Sequence, residues 1–346
     1  MDHNWQQAAT LPQHSTITKE RISTFLQGFP EVFRSDASRI PVTYPITLWQ
    51  DVKLPWLPGD HDGKTIIHGQ QTLHYFRTFL YNEKIIWQIH LASIRETKGS
   101  QGKMQLLDCV MDVKNAHAET ILQANTTLLL LDQPRPSPQP KSKSHSQSHT
   151  NLVRSMTAGR ISPPELYGLW DKKSLLIPGA VLIDACLGTI TEDMLIAYAA
   201  ASGDHNAIHL DLQKALEFGL PGRVAHGMLV LGMVGNLLQE LQTGHMTLRS
   251  LECRFRIPIV EGDTVFSKVI VQSVVTSQCA DKGASSSEEA AARNNPGVYC
   301  LLEVFIVRPQ PDSSNSESHL YAATAHSSGN SQRILAYSGS AVYVFV

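Results

Sequence analysis

Two side chains that exchange protons readily, Asp204 and His209, lie near each other in the sequence. A carboxylate and an imidazole are common general acids and bases, and the ordinary pKa of histidine, about 6.5, suits that work near neutral pH. If the chain folds the two side chains toward one point, they can hold and activate one water molecule. The less specific interpretation is that Asp204 caps a helix and His209 is a surface or structural histidine. The spacing alone leaves both interpretations open.

A predicted helix and its end position this pair. Thr191 is a good N-cap, and the two acidic residues after it favour the first turn of a helix. The apolar run that follows ends at Gly203, a residue type that often terminates helices. We therefore expect Asp204 and His209 to lie on an irregular loop after this helix.

A second candidate feature opens a longer apolar segment, which predicts a helix from Gly227 to Leu241. The first N–H groups of a helix have no partner within it, and glycine lets a ligand approach the backbone. The Gly227 N–H is therefore a candidate donor to an oxyanion. The alternative is that Gly227 only lets the helix pack closely on a sheet. Asn206, Arg223 and His226 are candidate substrate-binding residues, and His226 is also explained as a structural histidine.

Charge and hydropathy exclude several functional classes. The 346 residues carry 29 basic and 31 acidic side chains, a net charge of −2 that gives no attraction to nucleic acid or an anionic membrane. No apolar run approaches the ~18 residues of a membrane-spanning helix. The N-terminal sequence has no signal-peptide or transit-peptide pattern, so we expect a cytoplasmic protein without a membrane partner.

The cysteines point to neither a disulfide framework nor a zinc site. Their number is odd, they are scattered, and no two form a C-x-x-C pair. Most of them lie among apolar residues and are expected to be small core residues. We predict no metal and no cofactor. The five are Cys109, Cys186, Cys253, Cys279 and Cys300.

A change in composition divides the chain into two halves. Residues 132–164 contain four closely spaced prolines followed by a run of lysine, serine, histidine and glutamine, which cannot bury a core. We predict that they form a linker between an N-terminal domain, residues 1–131, and a C-terminal domain, residues 165–346. A chain of this length has room for two domains of the usual roughly 100–200 residues.

Each half is predicted to contain helix followed by antiparallel strands. In the first half Thr16–Glu20 offers a cap for a short helix, and Glu261–Asp263 in the second half is a predicted turn between strands. The predicted strands are Gln70–Phe79, Lys84–Glu96, Gln105–Val113, Thr120–Leu131, Thr247–Ile257, Asp263–Val275, Gly297–Val307 and Ile334–Val346. Polar insertions are predicted at Cys279–Asn295, Gln310–Glu317 and His326–Arg333.

The segments Ile190–Met194, Ala201–Leu210, Arg223–Leu229 and Phe255–Asp263 resemble, in order and spacing, the MaoC-like, (R)-specific enoyl-CoA hydratase (hydratase 2) family. The first half resembles the FAS1-type dehydratase N-terminal domain that precedes a MaoC domain in double hot-dog proteins. That weaker resemblance is carried by Pro41–Ile46, Ile67–Gln71 and the basic turn around Arg95–Lys103. The sequence departs from the family pattern at Ala207, where proline is usual.

The resemblance implies an α+β double hot-dog fold, in which two antiparallel sheets each wrap a helix and form a pseudo-dimer within one chain. It implies a hydro-lyase that reversibly hydrates trans-2-enoyl thioesters to (R)-3-hydroxyacyl thioesters. Asp204 and His209 would activate the water, and the Gly227 N–H would stabilise the enolate-like oxygen. Because the first half has no counterpart of the Asp204–His209 segment, we expect one site per chain, with the first half shaping the acyl tunnel.

Two other functions stay open at this point. One is a hot-dog thioesterase, which would hydrolyse the thioester, and the other is a non-catalytic subunit that binds acyl thioesters. The expected partner in each case is an acyl-CoA or acyl-carrier-protein thioester, with a homodimer of double hot-dog chains left open. The acyl chain length and the direction of the reaction are not contained in the motifs. His68-Gly69 resembles His226-Gly227 but lies in a predicted strand, so we do not count it as a second oxyanion site.

Overall fold

The computed structural model describes residues 8–35, 37–50, 52–57, 64–99, 102–132, 176–242, 245–276, 296–309 and 333–345. Residues 133–164 of the predicted linker lie outside these ranges, and so do nearly all residues of the three predicted insertions. Within the described residues, no helix is both long and apolar enough to cross a membrane.

Among its described residues, the first half contains one α-helix and five antiparallel strands. Helix α1, Lys19–Gln27, is capped by the Thr18 side chain and buries Ile22, Phe25 and Leu26. Two 3-10 turns follow, at Glu31–Phe33 and Tyr44–Trp49. The strands are β1 (Gln13–Thr16), β2 (Lys64–Tyr75), β3 (Lys84–Gly99), β4 (Gly102–Asn115) and β5 (Thr120–Asp132).

The second half repeats this plan with more helix. Its helices are α2 (Glu192–Ser202), α3 (Ala207–Leu210), α4 (Leu212–Glu217) and α5 (Gly227–Glu240). Its strands are β6 (Val181–Thr189), β7 (Met246–Phe255), β8 (Thr264–Val275), β9 (Gly297–Val307) and β10 (Ile334–Phe345). The predicted cap at Thr191 and the turn at Glu261–Asp263 are both present.

The two expected sheets are the two halves of one continuous sheet. The strand order is β1-β3-β4-β5-β2-β7-β10-β9-β8-β6, so β2 of the first half is hydrogen-bonded to β7 of the second. This pairing is antiparallel and aligns Gln70–His74 with Ser250–Arg254. Each half therefore protects one edge strand of the other from solvent.

Helix α5 lies in the core that both halves share. Nearly all of its residues are buried, because it is apolar on every side. Its two buried polar side chains bind the first half: Asn236 donates to the carbonyl of Phe33, and Gln239 donates to the carbonyl of Ile40. Buried polar groups require partners, so these bonds fix how the first half lies on α5.

Sequence analysis missed strands β1 and β6, the short helices α3 and α4, and the two 3-10 turns. Strands β1 and β6 each precede the first helix of their half, so the predicted order of helix before strands is incomplete. The expectation of an irregular loop up to His209 is wrong, because His209 lies in the one-turn helix α3. The side chain of Asn206 caps this helix by accepting from the Ile208 N–H.

A buried ion pair stabilises the turn at Glu261–Asp263. The fully buried Asp263 carboxylate accepts two hydrogen bonds from Arg308, at 2.7 and 2.8 Å, and a third from the Val260 N–H. This turn also contacts the segment before α5, because the Glu261 N–H donates a hydrogen bond to the carbonyl of Arg223.

Substituting Arg308→Met should leave the buried Asp263 carboxylate without its countercharge. We expect the free energy of unfolding to fall by about 2 kcal/mol, which is less than the roughly 3–5 kcal/mol typical of a broken buried pair because Arg308 is partly exposed. Urea denaturation followed by circular dichroism measures this change. Arg95→Met, which breaks a more exposed pair with Asp108, is the control and should leave the midpoint nearly unchanged. Equal midpoints for wild type and Arg308→Met would contradict the prediction.

Candidate active site

Backbone geometry places Asp204 and His209 together. Helix α2 ends at Gly203, whose φ of +75° is the left-handed conformation that glycine adopts at little cost. The chain then turns through Asp204 to Asn206, where α3 begins. A Cβ atom at Gly203 would lie only 2.2 Å from the side-chain nitrogen of Gln50, so the first half packs directly on this helix end.

The two predicted catalytic side chains face each other across a short gap. The His209 Nε2 and Asp204 Oδ2 atoms are 3.8 Å apart. The other ring nitrogen of His209, Nδ1, lies 2.7 Å from the carbonyl oxygen of Val224. A carbonyl only accepts hydrogen bonds, so we assign the proton of neutral His209 to Nδ1. Its Nε2 lone pair then points toward Asp204.

Burial and neighbouring charges determine the protonation states of Asp204 and His209. Burial lowers the pKa of His209 below 6.5, and the Asp204 carboxylate only partly offsets this. Burial raises the pKa of Asp204, but interactions with His209 and His226 and the hydrogen bond from the Asn206 N–H outweigh it and lower the pKa. The side chain of Asp204 remains 53% exposed, whereas that of His209 is buried. At neutral pH the pair is thus a carboxylate beside a neutral imidazole.

His226 contacts both members of the Asp204–His209 pair. Its Nε2 lies 3.0 Å from the backbone carbonyl of Asp204, and its ring stacks on His209 at a centroid distance of 3.8 Å. Burial lowers the pKa of His226 to about 3, so it stays neutral and donates through Nε2. The geometry gives His226 a structural contact with the Asp204 backbone, while its predicted contact with substrate stays a prediction.

Asp204, His209 and His226 also form a group that could be considered for a metal ion, because one ligand atom of each lies within 4.8 Å of the others. One observation argues against this. The two imidazole rings are stacked with an interplanar angle of 26°, so their in-plane lone pairs run side by side instead of converging on one point. The residues therefore do not fit a tetrahedral metal centre.

Asn206 ties the site to the first half. Its side-chain amide donates to the carbonyl of Ile66 on β2 at 2.8 Å, and Thr65 lies 3.5 Å from its oxygen. Arg223, the other predicted substrate-binding residue of this region, forms ion pairs with Glu192 and Glu261. The structure therefore shows both residues in contacts that hold protein segments together, and their contact with substrate is a prediction.

Gly227 is the first residue of α5, as predicted. Its N–H has no hydrogen-bond acceptor among the described residues, as expected for the first turn of a helix. A Cβ atom at this position would lie 3.0 to 3.2 Å from three ring atoms of Phe255 on β7. The structure thus supports both interpretations of this glycine, since it permits close packing on the sheet and leaves its N–H free.

Two further polar groups near the pair were missed. His68 on β2 is close enough to Asp204 and His209 for their charges to affect its pKa, and its Nε2 is buried without a partner among the described residues. The hydroxyl of Tyr198 on α2 is also buried without a partner, and the Asp204 charge acts on it. The similarity of His68-Gly69 to His226-Gly227 was the signal that could have identified His68.

Comparison with known proteins places this site in a described family domain. Residues 185–291 match the family model for a MaoC like domain. A curated relative, the mitochondrial 3-hydroxyacyl-[acyl-carrier-protein] dehydratase of Arabidopsis thaliana, is 30% identical over 110 residues. This match covers 32% of the chain and spans 63% of the length of that relative.

Solved structures match the whole chain in fold. A MaoC-like dehydratase aligns with a TM-score of 0.62 at 14% identity, over 98% of each chain. A Mycobacterium tuberculosis protein described as having a double hotdog fold aligns with a TM-score of 0.52 at 14% identity, over 98% of this chain and 96% of that one. The fold is thus the double hot-dog fold that the sequence predicted. Within it, residues 185–291 of the second half are the part that matches the family model for a MaoC like domain.

The buried histidines should make stability depend on pH. The pKa of His68 is lowered to about 4 and that of His226 to about 3, both by burial, whereas in the unfolded chain each has the ordinary value of 6.5. As the pH falls below 6.5 the unfolded chain binds protons that the folded protein does not, so the free energy of unfolding should decrease between pH 6.5 and about 4.

Denaturation midpoints measured at intervals across this range test the prediction. His68→Leu removes one of these groups and should make the decrease shallower than in the wild type. Asp204 does not interfere, because its contribution is lost only below its ordinary pKa of 3.8. A wild-type midpoint that is constant from pH 7 to pH 4 would show that the histidines are not held neutral.

Proposed function

We propose that this protein is a hydro-lyase that reversibly adds water to the double bond of trans-2-enoyl thioesters, giving (R)-3-hydroxyacyl thioesters. The MaoC-like domain and the name of the curated dehydratase relative support the hydratase or dehydratase class. The (R) configuration follows from the family resemblance of the active-site segment.

The observation that carries the proposal is the 3.8 Å gap between His209 Nε2 and Asp204 Oδ2. At neutral pH both atoms accept hydrogen bonds and neither donates, so they do not bond to each other. One water molecule has two hydrogens and can donate to both at the usual distance of about 2.8 Å. The pair is therefore suited to hold a water molecule and direct its oxygen lone pairs outward, toward a substrate.

The reaction follows from this arrangement. The pair takes a proton from the bound water as its oxygen attacks Cβ of the enoyl thioester, and the electrons of the double bond move toward the thioester carbonyl. The free Gly227 N–H would stabilise the resulting enolate-like oxygen. The proton then passes to Cα, so one water has been added in total. Dehydration is the same sequence reversed.

A mostly apolar crevice is the candidate site for the acyl chain, and we call it the acyl pocket. It begins at Met228, next to Gly227, and in this structure it is too narrow to hold a water molecule, so its side chains would have to move apart to admit an acyl chain. The other lining residues, all from the first half, are Pro45, Ile46, Trp49, Gln71, Leu73, Met111 and Ala124. That the first half shapes the acyl tunnel stays a prediction, and Trp49 and Met111 are the lining residues to substitute when chain-length preference is tested.

The thiol that carries the acyl group is to be determined by assay. The curated relative is named for an acyl-carrier-protein substrate, so both crotonyl-CoA and a crotonyl carrier protein should be assayed. Homodimer formation and a cytoplasmic location remain predictions from sequence.

Replacing either member of the pair should abolish hydration. We expect Asp204→Asn and His209→Gln each to lower kcat/KM for crotonyl-CoA at least 100-fold, because positioned proton transfer typically contributes about 10²–10⁴ in rate. Loss of enoyl absorbance measures the reaction. His205→Gln, at an exposed residue beside Asp204, is the matched control and should retain activity. Release of free thiol would indicate a thioesterase, and binding without turnover would indicate a non-catalytic subunit.

The pH dependence of the rate should report His209. Since the neutral imidazole is the base and burial lowers its pKa, kcat/KM should be constant around neutral pH and fall only as the pH drops through a value below 6.5. Initial rates of crotonyl-CoA hydration from pH 4.5 to 8 measure this profile. A rate that instead increased below pH 6 would require protonated His209 and contradict the assignment.

A further inference from the structure

Among the described residues, the proposed reaction leaves three buried polar atoms near the site unused: the Tyr198 hydroxyl, Nδ1 of His226 and Nε2 of His68. Of these, only His68 belongs to the first half. His68 Nε2 is shielded from solvent and has no hydrogen-bond partner among the described residues. Leaving a buried polar atom unpaired costs about 1–3 kcal/mol, so such an atom near a binding site is expected to be paired when ligand is bound. His68 comes from the first half, which supplies none of the proposed catalytic residues.

The ring of His68 lies close to the groups proposed to act on the substrate. Its ring lies edge-on to Phe255, with centroids 5.0 Å apart, and the same Phe255 ring contacts the position of Gly227. The ring is also within electrostatic reach of Asp204 and His209. On its other side it interacts with Gln71, which lines the acyl pocket. His68 therefore lies among the water-holding pair, the candidate oxyanion donor and the acyl pocket.

The hydrogen bonds of Gln71 define which nitrogen of His68 carries the proton. The Gln71 amide nitrogen donates to the carbonyls of Thr72 and Asn125, at 3.1 and 3.3 Å, so both of its hydrogens are used. Only the Gln71 oxygen remains to interact with His68, which must then be the donor. Since Nε2 has no partner, the donor is Nδ1, and Nε2 is a bare acceptor.

An acceptor at this position requires a donor from the ligand. A 3-hydroxyacyl thioester has one hydroxyl hydrogen, and in the reversible reaction that hydroxyl faces the ionised Asp204, a stronger acceptor than a neutral imidazole. The other donor near the reacting carbons is the first amide N–H of the pantetheine arm, two carbons beyond the sulfur in both CoA and carrier-protein thioesters.

We propose that His68 Nε2 accepts a hydrogen bond from this amide N–H, so that the first half recognises the pantetheine arm of the substrate. The proposal rests on the proposed function. It makes His68 a residue that selects pantetheine thioesters over simple alkyl thioesters, without a part in the proton transfers.

Two small thioesters separate this role from a structural one. Crotonyl-N-acetylcysteamine contains the amide N–H, whereas the S-butyl ester of thiocrotonic acid lacks it. In the wild type and His68→Leu, kcat/KM is measured for both. We expect His68→Leu to lower kcat/KM about tenfold for the amide-containing thioester, the effect of one lost hydrogen bond, and to leave the S-butyl ester nearly unchanged. His68→Gln, which restores an acceptor, should recover part of the loss.

The controls make each outcome decisive. His74→Leu, on the same strand but beside Phe76, should match the wild type with both thioesters. Equal losses with the two thioesters, or no loss with either, would overturn the proposal for His68 while leaving the hydratase assignment intact. A folded wild type that hydrates neither these thioesters nor crotonyl-CoA would instead contradict the proposed function. A thermal melt of each variant confirms that the protein compared is folded.

Discussion

The pairing of β2 with β7 is the constraint on which the site depends. An unpaired strand edge exposes backbone groups, and here the edge of each half is completed by the other. The register of this pairing fixes where Ile66 and His68 lie relative to the Gly203–Asn206 loop. Because Asn206 donates to the carbonyl of Ile66, the first half holds the loop that carries Asp204. A half that lacks the catalytic motif thus still determines the geometry of the site.

The chemistry of the site also depends on the burial of three histidines, which keeps their imidazole rings neutral. Three histidines lie around a single carboxylate, and burial lowers the pKa of each of them. They therefore act as directional hydrogen-bonding groups and do not neutralise Asp204. Backbone carbonyls take up one nitrogen of His209 and one of His226, which leaves defined lone pairs. The arrangement creates basic sites for water without assembling a metal centre, because the stacked rings do not converge.

Much of the secondary structure could be predicted from the sequence, and the errors have local causes. Helices α2 and α5 combine a cap or glycine boundary with an uninterrupted apolar segment, so their limits are close to the predicted ones. Strand β1 has only four residues and β6 is broken by two bulges, so neither shows a clear alternation of apolar and polar residues. Helix α3 is a single turn, too short for periodicity, and depends on the Asn206 cap and on burial of Ile208 and His209.

By itself, the sequence determined the residue types of the site and the order of the elements that carry them. Asp204 follows the predicted end of α2 and Gly227 begins the predicted helix α5, whereas His209 lies in α3, which local signals did not predict. Only the tertiary structure decided that His68 joins them, since nothing within β2 indicates which strand lies beside it. It also decided the tautomer of His209 and the pairing of Arg223 with two carboxylates. These features arise from contacts between residues far apart in the chain, which local patterns do not encode.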